Sequence, residues 1–239
     1  MLLLWGDLNC EHLEHFLKGD EEINLRPRVL YEGGLKVTGV TQKVDEIGDD
    51  AKQKEVEIIA MHVGSSNFPY EEHEDQEMML GQYLQQLSEI DRKCPNAEII
   101  VCSIPRRIEH YKSTVQKSIN GQINSFNAKL RETADDSPRV HFCNTIPYLT
   151  DKDGPCPALY KSPEFDPNGV HLNDSGKKEL SKAITEEIKR IMQRKPPQQQ
   201  ENMVEKVEEG VAQITFREKA SEVLSTEGTN PSTPDTRHV

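Results

Sequence analysis

Long apolar runs are missing from this chain: nowhere do its 239 residues hold the roughly 18–20 consecutive apolar side chains that a membrane-spanning helix needs. A bundle of such helices is excluded, and no membrane partner is expected. The opening Met1-Leu2-Leu3-Leu4-Trp5 run meets Gly6 and Asp7 before it reaches the length of a signal h-region. The expectation is a soluble, cytoplasmic chain, and a first strand starting at Leu2 has so little lead-in that an upstream extension of the natural protein is compatible with it. Basic charge is also short. Against 41 acidic residues stand 29 basic ones, net −12, a field that repels phosphate backbones unless a local patch opposes it. The five cysteines form no CxxC pair and are odd in number, which suits reduced thiols rather than a disulfide framework. No internal repeat is present.

What the chain does contain is one sizeable domain's worth of alternating patterns. Short β-branched or apolar runs at 2–5, 28–31, 56–62, 98–103 and 139–142 predict five strands, each ending near a loop-forming residue. Between them lie helical stripes: Met79, Tyr83, Leu87 and Ile90; Ile119, Ile123, Phe126 and Leu130; Leu180, Ile184, Ile188 and Ile191. Strands alternating with helices predict an α/β three-layer sandwich with a central five-stranded parallel sheet. Residues 1–193 form this domain. From Arg194 onward the composition is that of a linker and low-complexity tail, with one modest helical stripe at Met203, Val207, Val211 and Ile214 that predicts a short helix within 201–224.

In such a sheet, ligands bind beyond the carboxyl ends of the strands. The loops there, and the run before the last helix, carry four blocks: Trp5-Gly6-Asp7-Leu8-Asn9, Glu32-Gly33-Gly34-Leu35-Lys36, His62-Val63-Gly64-Ser65-Ser66-Asn67-Phe68, and Asp166-Pro167-Asn168-Gly169-Val170-His171-Leu172-Asn173. In order and spacing these blocks resemble those of the SGNH hydrolases, or GDSL-type esterases, and look closest to the esterase-like domains of retroelement-derived proteins. The resemblance covers residues 1–193 and implies a flavodoxin-like sheet and, in the family, hydrolysis of acyl or acetyl esters.

Carried onto this chain residue by residue, the resemblance assigns a site with gaps. Leu8 occupies the place of the family's nucleophilic serine, after Gly6 and Asp7. Gly34 matches the glycine whose backbone N–H enters the oxyanion hole. Strict alignment puts Ser66 at the family's oxyanion asparagine and Asn67 at the following aspartate. His171 matches the base, whereas Asn168 stands where the family has the carboxylate that orients it. Asp166, five residues before His171, is within reach of the imidazole as a substitute, and Ser65 or Ser66 offers a hydroxyl. Leucine cannot attack a carbonyl, and a serine hydrolase needs nucleophile, base, orienting acid and oxyanion donors together.

The primary expectation is therefore a catalytically impaired pseudo-hydrolase kept as a binding or interaction module for a small ester or acyl ligand or a protein partner. The alternatives are an active ester hydrolase using His171 with a noncanonical nucleophile, and an RNA-binding domain relying on Arg106, Arg107, Lys112 and Lys117; the net charge disfavours nucleic acid. Asp7, Ser65, Arg106 and Arg107 are further candidate ligand contacts, the two arginines because they follow the fourth strand. No cofactor or metal is expected. His12 and His15 are three apart on a first helix but lack an evident third ligand; His141, Cys143 and Cys156 have no finger spacing. The acidic run at 71–75 reads as charge complementing the N-terminus of the next helix.

Overall fold

A computed structural model describes residues 1–18, 25–40, 56–68, 75–108 and 114–194. The expected tail and its short helix lie outside these residues. Five strands, β1 (Leu2–Gly6), β2 (Pro27–Tyr31), β3 (Ile58–His62), β4 (Glu98–Cys102) and β5 (Val140–Cys143), form one sheet of order β2-β1-β3-β4-β5. All four pairings are parallel. Each strand lies within a residue or two of its predicted place.

The periodicity of β1 explains why it is central. Leu3 and Trp5 enter one core together with Ile59 and Met61 of β3, whereas Leu2 and Leu4 enter the other with Ile58 and Ala60. A strand covered on both faces reads as a continuous apolar run, which is what Leu2-Leu3-Leu4-Trp5 is. The first core is closed by α2 (Gln76–Lys93) and α3 (Thr114–Asp135), the second by α1 (Leu13–Leu17) and α5 (Asp174–Arg194). The short α4 (Ile146–Leu149) leads into a two-stranded ribbon, β6 (Thr150–Asp151) with β7 (Gly154–Pro155). Helix α2 starts at Asp75, whose carboxylate accepts from the Glu77 N–H at 2.8 Å. The acidic run thus supplies a true N-cap at its last residue.

Strand order reverses between β1 and its neighbours β2 and β3, and chain crossings to opposite faces leave a crevice there. Gly6, the last residue of β1, is in register with Tyr31 on one side and His62 on the other. Three of the four motif blocks therefore converge on this switch point. Because Leu4 is fully buried at the centre of the sheet, Leu4→Ala should lower unfolding free energy by roughly 2–5 kcal/mol, read as a lower midpoint in urea with the slope unchanged.

Candidate functional site

The turn after β1 is fixed by what Gly6 lacks. A Cβ at Gly6 would stand 2.1 Å from the Cys10 sulfur and 3.0 Å from the His62 carbonyl oxygen. Only glycine fits, and the chain turns at once into a 3₁₀ segment, Leu8–Cys10, capped by the Asp7 carboxylate, which accepts from the Asn9 N–H at 2.9 Å. Residue 8 consequently stands at the tip of the turn over the switch point. Leu8 is half-buried, with its three terminal carbons 3.5–3.6 Å from where a Cβ of Gly33 would lie. The position that the resemblance gives to the nucleophile is an apolar contact with the second block.

The thiol and hydroxyls nearest residue 8 in the blocks are wholly or partly buried. Cys10 is fully buried and its thiol is pushed well above the ordinary value by burial, then by the Asp7 carboxylate, so thiolate is scarce. Ser65 is buried, and Ser66 half-buried. Asp7 is buried beside His62, with Oδ1 4.0 Å from Nδ1. That is beyond hydrogen-bond distance, and Asp7 Oδ2 and His62 Nε2 are both buried without a partner among the described residues. Buried polar atoms of this kind are usually satisfied by water.

The base is better provided for. His171 Nδ1 lies 3.2 Å from Asp166 Oδ1, and the His171 backbone N–H donates to Asp166 Oδ2 at 2.5 Å. The orienting carboxylate is therefore present, but at residue 166; Asn168, the aligned position, is exposed. Burial opposes the charge on Asp166, and hydrogen bonds from the His171 ring and from the His171 and Val170 backbone outweigh it, holding the carboxyl below its usual range. A carboxylate on Nδ1 fixes the tautomer and leaves Nε2 as the nitrogen that can accept a proton. The imidazole is one-third exposed, and Nε2 makes no hydrogen bond among the described residues.

Asn9, quoted in the first block without a role, turns out to join the two halves of the site. Its Oδ1 accepts from the Leu172 N–H at 2.8 Å and its Nδ2 donates to the Val170 carbonyl at 3.3 Å. One buried carboxamide thus grips the chain on both sides of His171. Gly169 completes the loop at φ +63°, where a Cβ would lie 2.5 Å from the Ile108 carbonyl oxygen. Asn173 then starts α5, its Oδ1 accepting from the Gly176 N–H at 3.0 Å, so the loop is anchored at both ends.

Gly34 adopts φ +74° with open space over its Cα, and its N–H has no acceptor among the described residues, which leaves a donor available to a ligand. Asn67 is buried, and its Oδ1 accepts from the Val37 N–H at 3.1 Å, fastening the third block to the second. Arg107 departs from the ligand-contact expectation. It is buried, and its guanidinium donates to the carbonyls of Ser65, at 3.3 Å, and Phe68. Its own backbone is clamped by Asn120, which accepts at 2.7 Å and donates at 2.9 Å. Arg106 donates to Asn124 at 2.8 Å. Lys112 and the side chain of Lys117 lie outside the described residues.

A groove of about 720 Å³ lies at the far edge of the sheet, along β5. Its charged lining is largely self-paired, Arg190 with Glu187, Tyr148 with Glu186, and Arg131 over the Phe142 ring. It contains none of the four blocks. Three of those blocks meet instead at the switch point.

With that geometry in hand, the likeness to solved proteins is informative. A GDSL-like lipase from Bacteroides thetaiotaomicron superposes with a TM-score of 0.60 at 14% identity, over 80% of this chain and 88% of the lipase. A carbohydrate esterase of family 3 from Talaromyces cellulolyticus gives 0.55 at 11%, over 82% and 99%. The OSK domain of Drosophila Oskar gives 0.53 at 11%, over 76% and 85%. The fold is that of the SGNH hydrolases. At the level of sequence, no protein-family model and no curated protein matches. No helix among the described residues is long and apolar enough to cross a membrane.

Two outcomes follow from this geometry. Asn9→Ala orphans the buried Leu172 N–H and should cost roughly 1–3 kcal/mol, measured as a lower denaturation midpoint. Asp166, whose carboxyl folding pulls down, stabilises the native state above its unfolded value near ~3.9, and this contribution is lost as pH falls through the lower folded value. The stability of the unaltered protein should therefore fall more steeply than that of Asp166→Asn as pH drops below about 4, read by urea titrations across that range.

Proposed function

We propose that this protein is an SGNH-fold pseudo-hydrolase: serine esterase chemistry is lost, and the crevice at the ends of β1 and β3 serves binding of a small ester or acyl ligand or of a protein partner. The observation that carries this reading is Leu8, an aliphatic side chain at the tip of the turn, in contact range of Gly33. In a serine protease of another fold, loss of the nucleophile costs on the order of 10⁶ in turnover, about 8 kcal/mol of barrier. What remains suits recognition. Gly34 offers a backbone donor, His171 an oriented imidazole, and Leu8 an apolar floor against which an acyl chain or methyl group can pack.

The Asp166–His171 pair favours a second reading, ester hydrolysis in which His171 Nε2 takes a proton from water or from a loop hydroxyl as that oxygen attacks the carbonyl carbon. Hydrolysis of a short-chain p-nitrophenyl ester separates the two. The first reading expects the protein and its His171→Ala variant to match the uncatalysed rate; a rate that disappears on His171→Ala overturns it in favour of the second. Leu8→Ser should react covalently with a fluorophosphonate probe, and should cease to do so when combined with His171→Ala, because the oriented base is still in place to activate a hydroxyl at residue 8.

A further inference from the structure

A second cluster of chemistry-bearing side chains sits on α1, one turn of chain beyond Leu8, and the crevice does not use it. His12, Glu14 and His15 each present a ligand atom, and these three atoms all lie within 4.8 Å of one another. The sequence pattern left the two histidines without a third ligand; the helix supplies one from the residue between them. The imidazole centroids are 5.9 Å apart with the rings tilted by 41°, and His15 Nε2 is 4.0 Å from the Glu14 carboxylate. Both imidazoles are about two-thirds exposed, so water and ions have access and the rings have room to turn.

The local backbone supports a use beyond capping. His12 is the only non-glycine residue with positive φ among the described residues, at +63°, and it stands at the N-cap of α1 without a side-chain hydrogen bond to the helix. Left-handed cap positions favour glycine, or Asn and Asp with local hydrogen bonds; this imidazole makes no such bond, and its ring stands 5.9 Å from that of His15 with its Nε2 3.9 Å from the Glu11 carboxylate. Glu11, the other carboxylate near His12, is shared with Lys177 at 3.4 Å and the Tyr31 hydroxyl at 3.5 Å, so Glu14, against His15, is the acidic donor less committed elsewhere.

The geometry points to a divalent transition-metal site formed by His12, Glu14 and His15. Two imidazoles and one carboxylate suit zinc, cobalt, nickel or copper rather than magnesium or calcium, whose sites are built from oxygen. Zinc–ligand bonds of about 2.0–2.2 Å in a tetrahedron need the three donors to close in by roughly an ångström, a movement within the rotamer freedom of exposed side chains. Water completes the coordination. The ion fastens the N-cap of α1 to its first turn, at the end of the segment that begins with the Leu8 turn.

The test uses the whole 239-residue chain, which has eight histidines, so the variants define the site. Co²⁺ binding is followed by its visible d–d absorption and Zn²⁺ binding by calorimetry. Comparison is with His12→Asn, in which asparagine tolerates the left-handed backbone, with His15→Asn, and with Glu14→Gln. The unaltered protein should bind one equivalent that the His12→Asn/His15→Asn double variant lacks, with Glu14→Gln weaker by about tenfold or more and far-ultraviolet circular dichroism unchanged throughout. Zn²⁺ should also raise the melting temperature of the unaltered protein and not that of the double variant. Equal stoichiometry and affinity in the two, or no bound equivalent in the unaltered protein, overturns the assignment.

Discussion

Everything at the crevice depends on the absence of a side chain at Gly6. With the Cys10 sulfur 2.1 Å from where a Cβ would stand, the chain leaves β1 in a single tight turn, and Asp7, Leu8 and Asn9 are delivered in succession to the point where the strand order reverses. Asn9 then reaches across the molecule to residues 170 and 172, and that grip holds His171 against Asp166. A bulkier residue at position 6 would displace Cys10, then Asn9, and with Asn9 the imidazole. The site is a cantilever from one glycine, stiffened by one carboxamide.

The layers of the fold were legible in the sequence because its strands are buried on both faces and its helices on one. Ile59 and Met61 alternate with Ile58 and Ala60 between the two cores, and a run of that kind has few other homes. The site was legible only in part, and the reason is distance along the chain. Asn9 bonds to partners 161 and 163 residues away, which no local pattern encodes. Strict alignment put the lost acid at Asn168, yet the loop closes through Gly169 so that Asp166 is the carboxylate facing the ring; spacing to His171 was visible, but the path of the loop was not. Arg107 and Asn67 have a structural part that their place in the sequence does not show. A polar side chain near a ligand crevice can equally serve the backbone of the crevice walls, and here both are buried on carbonyl or amide groups of the third and second blocks.

That distinction decides which polar residues say anything about function. Asn9, Asn67, Arg107, Asn120 and Asn127 each satisfy buried backbone groups, and removing any of them orphans a partner at roughly 1–3 kcal/mol. Their bonds to the backbone give each of them a stabilising part whatever the crevice does. The same holds for Asp166, which receives two backbone N–H groups from the loop it organises.

His171 is different. Its backbone N–H already bonds to Asp166 and its carbonyl accepts from Lys161, so the loop is closed by main-chain contacts that any residue at 171 would make. The ring itself adds a contact at 3.2 Å to a buried carboxylate that amides also serve. The imidazole thus helps to hold Asp166 ionised, while Nε2, which bonds to nothing among the described residues, is the part of the ring that the fold does not use. Leu8 is its counterpart: it excludes attack by residue 8 without disturbing the group that would have assisted it.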